Sequence, residues 1–481
     1  LKRRLPPSIA GALVVLSALF VFHHVLRNHF VDWDDDILIY ANPYIRGLDF
    51  LHFRWMLTST LNSAWQPLGW LLYGIIYGCA GLRPWAYHAV SLGLHLIATA
   101  LVFALGLELL AGETIAAALA ALLFAVHPLQ VESVAWAACM ADLLCCAFCL
   151  GSVLAYVKFM KGQRKIGLFR LSIALAVAAA LSRWEAAALP AVLIVLDEYV
   201  LSRRIEWGIK IPFFFVSMGV GAANAIAKMS VMHYESVPRS PMTAALGALE
   251  LLGHVVFPVS LRPVYFLTDS SRPFGFSAFE AAIIISGLSV LLFLFRKKRP
   301  GAWAAWLCFG ALLLPVMSVS REGPVFMHDR YAYLPLACFA LLVGVILKRR
   351  VWARVLGIFL VAGWSALSIT QAGVWYDGES LWKHVVAVDP QESLAYYDLG
   401  EMFLARGRTY EAVYYLREQA RHNPEKGRAN WAHALNDLGV EMAQKGRWEE
   451  AQKCLGEAVD LDPATEQSRR NLELVRQHLQ K

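Results

Sequence analysis

The chain has 481 residues, 58% of them hydrophobic and 17% charged, the profile of a polytopic membrane protein. Residues 376–481 carry 14 Lys/Arg and 18 Asp/Glu, a net charge of −4, whereas the preceding 375 residues carry 30 and 19, a net of +11. The overall +7 is therefore made by basic clusters flanking apolar runs and gives no argument for nucleic acid binding; nor do the eight cysteines form a secreted disulfide pattern.

In chain order, "LKRRLPPSIAGALVVLSALFVF" has the basic start and apolar core of a signal peptide. Its apolar stretch is long and no small-x-small site precedes the aspartates that follow, so it reads as a retained first span. Apolar segments of suitable length predict about eleven transmembrane helices, over 8–27, 86–110, 114–127, 138–158, 166–182, 186–201, 211–230, 277–295, 302–319, 331–347 and 351–371. Cys145, Cys146 and Cys149 lie inside one such run, where a thiol behaves as a small hydrophobe. The basic stretches 1–4, 158–165, 202–210, 296–299 and 348–354 all face the cytoplasm if the apolar segments 66–80 and 241–257 lie along the outer surface. One outer face then receives the loop 28–65, "HPLQVESVAW" (127–136), "SRWE" (182–185), "MHYESVPRSP" (232–241), "SREGPVFMHDRYAYLP" (320–335) and the tail.

The tail contains an internal repeat. Residues 393–424 align with 432–463, pairing Leu399 with Leu438, Gly400 with Gly439, Gly407 with Gly446, Ala412 with Ala451, Leu416 with Leu455 and Pro424 with Pro463. This resembles the tetratricopeptide repeat, in which a small residue lets two helices pack closely. A half-repeat over 379–390 and a capping helix over 464–481 complete a domain spanning 374–481, after a membrane domain over 1–373.

Directly after the first span, "FVDWDDDILIYANP" (30–43) places four aspartates, Asp32, Asp34, Asp35 and Asp36, in five positions. Such a run is ordinarily a hydrated cap. Here Trp33 and the apolar Ile37, Leu38 and Ile39 pin the acids at the interface, where desolvation raises carboxylate basicity, and residues 41–62 continue as an amphipathic stretch on the membrane. His127 follows an apolar helix and precedes a proline, so a helix-terminus hydrogen bond is the plain reading, and orienting an acceptor or a metal beside Glu132 is the functional one. Glu132 has three readings: orienting an acceptor, binding a divalent cation with Asp34, or simple solvation. His88 and His95 share a face of one span, and without a third ligand they read as buried polar packing.

The segments "DWDDDILIYANPYI", "WQPLGWLLYGIIYGCAGLRPWAYHAVSLGLHL", "FAVHPLQVESVAW", "LPAVLIVLD" and "DRYAYLP" follow one another ahead of the repeats. Together they resemble the transmembrane-and-tetratricopeptide-repeat glycosyltransferases of the C-type superfamily and their bacterial relatives. The resemblance implies an all-α polytopic membrane fold with an extracytoplasmic repeat domain. It also implies an inverting transferase that moves a sugar from a polyprenyl-phosphate donor to an acceptor hydroxyl, protein Ser or Thr, with O-mannosylation as the eukaryotic case. Its acidic pair matches Asp34 and Asp35, with Asp32 and Asp36 leaving the register open by one. An acceptor hydroxyl needs a carboxylate to take its proton; the phosphate leaving group needs positive charge, assigned to Arg330 with Arg183 and to His328 or Arg239. Arginine matches phosphate oxygens with a fork of donors. The repeat domain is expected to present or select the acceptor protein, and a bacterial inner membrane, or the endoplasmic reticulum if the chain is eukaryotic, is the expected location. A non-catalytic membrane-anchored repeat scaffold for envelope assembly is the alternative.

Two departures from the pattern bear on the site. After "VESVAW" this chain reads "AACMAD", so Cys139, Met140 and Ala141 stand where basic residues are usual. At the later site "LSRWE" keeps a charge in Arg183 but adds the opposing Glu185.

Overall fold

A computed structural model describes residues 5–162, 164–229, 241–266, 275–317 and 325–480. Two compact units divide at Asp377. The first is helical: α1 (Pro7–Phe22), α2 (Phe50–Thr58), α3 (Pro67–Ala80), α4 (Pro84–Leu109), α5 (Thr114–Ala125), α6 (Val131–Ala135), α7 (Met140–Lys161) and α8 (Ile166–Ser182). It continues through α9 (Leu189–Val195), α10 (Trp207–Met229), α11 (Pro241–Val256), α12 (Ala278–Leu294), α13 (Pro300–Met317), α14 (Tyr333–Arg349) and α15 (Val351–Val374). Local chemistry starts these helices where they start. Prolines, which lack the N–H that a first turn leaves unpaired, open α1, α3, α4, α11 and α13. A capping box between Ser277 and Glu280 opens α12.

Among the described residues, seven helices are long and apolar enough to cross a membrane, or eight if α5 and the turn after it, bent by 54°, count as one span. The protein is an integral membrane protein. Each of the eleven expected spans meets helical structure, but four fall short of full length for separate reasons. Helices α8 and α12 have 17 residues each and α5 has 12. The segment 186–201 breaks into a 3₁₀ turn (Trp184–Ala188), the seven residues of α9 and a π turn (Leu196–Val200). A feature the apolar pattern did not announce is a two-stranded antiparallel ladder, β1 (Tyr265–Phe266) with β2 (Val325–Met327).

Polar groups buried in this unit are used as ties between helices, as burial requires. His95 contacts the Tyr333 hydroxyl at 2.7 Å and the Ala125 carbonyl at 3.1 Å, joining α4, α5 and α14, and His88 approaches the His29 carbonyl at 3.3 Å. Both are polar packing, as their spacing suggested. Near the far end of α7, the fully buried Lys210 reaches Asp197 at 2.5 Å, and Asp197 also accepts from the Tyr156 hydroxyl. That triad satisfies three groups that would each be costly alone.

The second unit is a row of antiparallel helices: α16 (Gly378–Val388), α17 (Ser393–Ala405), α18 (Thr409–His422), α19 (Pro424–Gln444), α20 (Trp448–Leu461) and α21 (Glu466–Leu479). The aligned glycines explain the packing. A Cβ on Gly400 would lie 2.4 Å from Leu416 Cγ, and one on Gly439 would lie 2.6 Å from Leu455 Cγ, so α17 meets α18, and α19 meets α20, at a distance only glycine permits. Gly407 (φ +68°) and Gly446 (φ +76°) turn the chain between those helices in the left-handed region.

Candidate active site

The aspartate loop is stitched to the start of α7 rather than left in solvent. Asp35 is fully buried and accepts from the Val31 N–H at 2.9 Å and from the Ala138 N–H at 2.9 Å. The second donor lies in the turn that opens α7, where N–H groups lack intrahelical partners. The Trp136 indole donates to the Trp33 carbonyl at 2.9 Å, a second stitch between the same two segments. Burial pushes the Asp35 carboxyl well above the usual range, and its two N–H donors only partly oppose that. Asp34, half-buried beside it, is held at φ +64°, a left-handed conformation that costs an L-residue free energy and calls for a reason. Asp32 accepts from the Tyr40 hydroxyl at 2.8 Å, and Asp36 heads a π turn.

On the other side of Trp136 stands Arg330, at the turn that opens α14. Its guanidinium lies 5.0 Å from the Trp136 ring and 5.6 Å from that of Tyr331, within cation–π range. Glu132, on α6, accepts from the Arg330 backbone N–H at 2.9 Å and from Nη1 at 2.6 Å. The carboxylate thereby fixes both the backbone and the head of Arg330. His328 Nδ1 lies 2.6 Å from the Pro263 carbonyl and 3.0 Å from Arg330 Nη1; a protonated Nδ1 donates to the first, and a bare one accepts from the second.

Arg183 ends α8. Its Nε donates to Asp142 Oδ1 at 3.2 Å, its Nη1 donates to Gln66 Oε1 at 3.0 Å, and Glu185 Oε1 lies 3.9 Å from Nε. A small cleft brings Asp142, Glu185, Arg330 and Tyr331 together with Leu312 and Leu334 in its lining. Those same two leucines also line an apolar groove between α4, α7, α9, α13 and α14. The polar cleft and the groove therefore share part of a wall. Together they suit an amphipathic ligand: a long apolar chain in one, an anionic head near guanidinium groups in the other.

The expected site residues divide accordingly. Arg330 lines the cleft, Arg183 braces its acidic wall, and Glu132 serves as the orienting partner of Arg330. Asp34 and Asp35 do not line the cleft; Asp35 is bonded to Ala138, and Trp136, bonded to Trp33 beside Asp34, packs on Arg330. His127 does not line the cleft. It is fully buried, its Nδ1 accepts from the Leu129 N–H at 3.2 Å, its Nε2 lies 3.0 Å from the Val255 carbonyl, and its ring packs on Trp364. His328 is likewise buried and turned to backbone. Arg239 lies outside the described residues. Both oxygens of Glu132 are engaged by Arg330, and among the described residues no three His, Cys, Asp or Glu side chains converge as metal ligands. Sequence reasoning gave no role to Asp142, Gln66 or Trp136, although all three lie in quoted motifs. Their signal was a polar or aromatic group beside a helix start.

No family model matches the chain. Human protein O-mannosyl-transferase TMTC1 is 24% identical over 512 aligned positions, covering 91% of this chain and 57% of the human one. A Caenorhabditis elegans protein O-mannosyl-transferase, F38B6.6, is 24% identical over 83% of this chain and 61% of its own length. Drosophila Tmtc1, of the same name, is 33% identical over 36% of this chain and 21% of its own. The solved structure of ArnT from Cupriavidus metallidurans, bound to undecaprenyl phosphate, superposes with a TM-score of 0.46 and 15% identity, covering 90% of this chain and 80% of that one. The homologues of this integral membrane protein are thus protein O-mannosyl-transferases, and the chain spans about three fifths or less of these relatives' lengths.

Proposed function

We propose that the protein is a glycosyltransferase that moves a sugar, mannose by its homologues' names, from a polyprenyl-phosphate donor to a Ser or Thr hydroxyl of an acceptor protein, with inversion, on the outer face of the membrane. The observation that supports the donor assignment is a polar cleft lined by Arg330 that shares Leu312 and Leu334 with an apolar groove. The prenyl chain lies in the groove. The phosphate sits against Arg330, whose guanidinium is pre-aimed by Glu132 and Trp136 and so needs no reorganisation as charge develops.

Asp34 is the base. The acceptor O–H proton passes to its carboxylate as the hydroxyl oxygen attacks the anomeric carbon. The bond from that carbon to the phosphate oxygen breaks, and its electron pair leaves with the lipid phosphate, so no acid is required. Asp35 is a positioning residue: its bonds to Val31 and Ala138 hold the backbone that presents Asp34. The unit from Asp377 onward selects the acceptor through its repeated helices. In proteoliposomes, Arg330→Ala should weaken binding of dolichyl phosphate at least about tenfold, the loss expected for a charge-assisted contact. Unchanged binding would sink the donor assignment.

A further inference from the structure

The cleft holds one group that a phosphate site does not explain. Glu185 stands in the short turn between α8 and α9, its side chain 18% exposed. Its Oε1 faces Arg183, whereas its Oε2 is buried and meets no hydrogen-bond donor among the described residues. A buried acceptor left unpaired is costly, and native proteins keep one chiefly where something else will pair it. A carboxylate repels the lipid phosphate, so its partner must be a donor. Asp142 and Arg183 already hold one another at 3.2 Å, and Arg330 holds Glu132 at 2.6 Å. The cleft therefore sets an acceptor with capacity to spare beside the arginine that faces the phosphate. Tyr331, stacked beside Arg330, adds an aromatic face to the same cleft.

We propose that Glu185 marks the sugar subsite: its Oε2 accepts a hydrogen bond from a ring hydroxyl of the hexose carried on the lipid phosphate. This rests on the donor assignment above and deepens it. With the phosphate at Arg330 and the chain in the groove, the hexose is the part of the donor that remains to be read. Hydroxyl donors are what it offers. Such recognition discriminates strongly, because a ligand lacking the hydroxyl leaves the buried oxygen unpaired again.

The test compares two probes, dolichyl phosphate and dolichyl phosphate mannose, binding the full-length protein in nanodiscs. Wild type should prefer the mannosylated lipid. Glu185→Ala should lose that preference by about tenfold or more, the range for a hydrogen bond to a charged group, read as the ratio of the two affinities so that any change in phosphate binding common to both lipids cancels. On wild-type protein, one of a set of monodeoxymannosyl lipids should lose the same factor, a readout that needs no folded variant. If both lipids bind and neither the substitution nor any deoxy lipid changes their ratio, the sugar subsite is wrong and the donor assignment survives. A rise in acceptor KM alone would also overturn it, by placing Glu185 at the acceptor. If wild type binds neither lipid, the donor assignment falls and takes the subsite with it.

Discussion

Among the four neighbouring acids, the backbone distinguishes what the sequence could not. Asp32 is held by Tyr40 and Asp35 by two N–H groups, while Asp34 alone sits in the left-handed region, at φ +64°. The position of the acidic run was legible; the choice within it was not, because it depends on a φ angle and two distant N–H donors. Opposite consequences follow for adjacent residues. Asp35→Asn keeps one acceptor oxygen and turns an NH₂ toward a buried N–H, so it should cost about 1–3 kcal/mol and lower the melting temperature in detergent. Asp34→Gly relieves the left-handed backbone, worth about 1 kcal/mol, and should leave the melting temperature unchanged or higher while transfer falls about 10²–10⁴-fold, as for a lost general base. Burial raises the Asp35 carboxyl above its unfolded value, so the native state holds the proton more tightly than the unfolded chain. Its contribution is therefore complete below the unfolded value of about 4 and is lost as pH rises from there toward the folded one. The melting temperature of wild type should fall more steeply over that window than that of Asp35→Asn; parallel profiles would mean that Asp35 is not the buried acid described.

Between elements, stability is set by how closely helices approach, and the glycines give separable tests. A Cβ on Gly427 would lie 2.4 Å from Ala420 Cα and 2.5 Å from its N, atoms of backbone that cannot swing aside. Gly427→Ala should destabilise by about 1–3 kcal/mol or more. Gly456, inside α20, has nothing within 4 Å of such a Cβ, so Gly456→Ala should be neutral or stabilising by up to about 1 kcal/mol; thermal unfolding followed by circular dichroism separates the two. The groove is tested the same way: Ala304→Phe and Ala337→Phe, on facing helices that line it, should raise the KM for lipid donor with little effect on kcat. The helices themselves were readable from apolar runs, and Gly400 and Gly439 from the repeat. The broken course of 184–200 was not, since its apolar residues satisfy any helical period while the breaks lie in the backbone. Nor was the short ladder of β1 and β2, whose partners are some sixty residues apart.

For the whole molecule, the cleft was only half legible. Arg330 and Arg183 were found as cations near apolar helix ends. Their carboxylate partners Glu132 and Asp142 come from other elements, and only the fold shows that one member of each pair, Arg330 and Asp142, lines the same cleft. That separation of parts predicts a separation of functions: a chain ending at Tyr376 should still bind dolichyl phosphate and should lose transfer to acceptor protein. The most direct test is transfer of radiolabelled mannose from dolichyl phosphate mannose to a Ser/Thr-rich acceptor polypeptide by the full-length protein in proteoliposomes. The account predicts transfer by wild type, a fall of about 10²-fold or more for Asp34→Ala, and a comparable loss for Arg330→Ala with weakened lipid binding. Wild-type rates from both variants would contradict it.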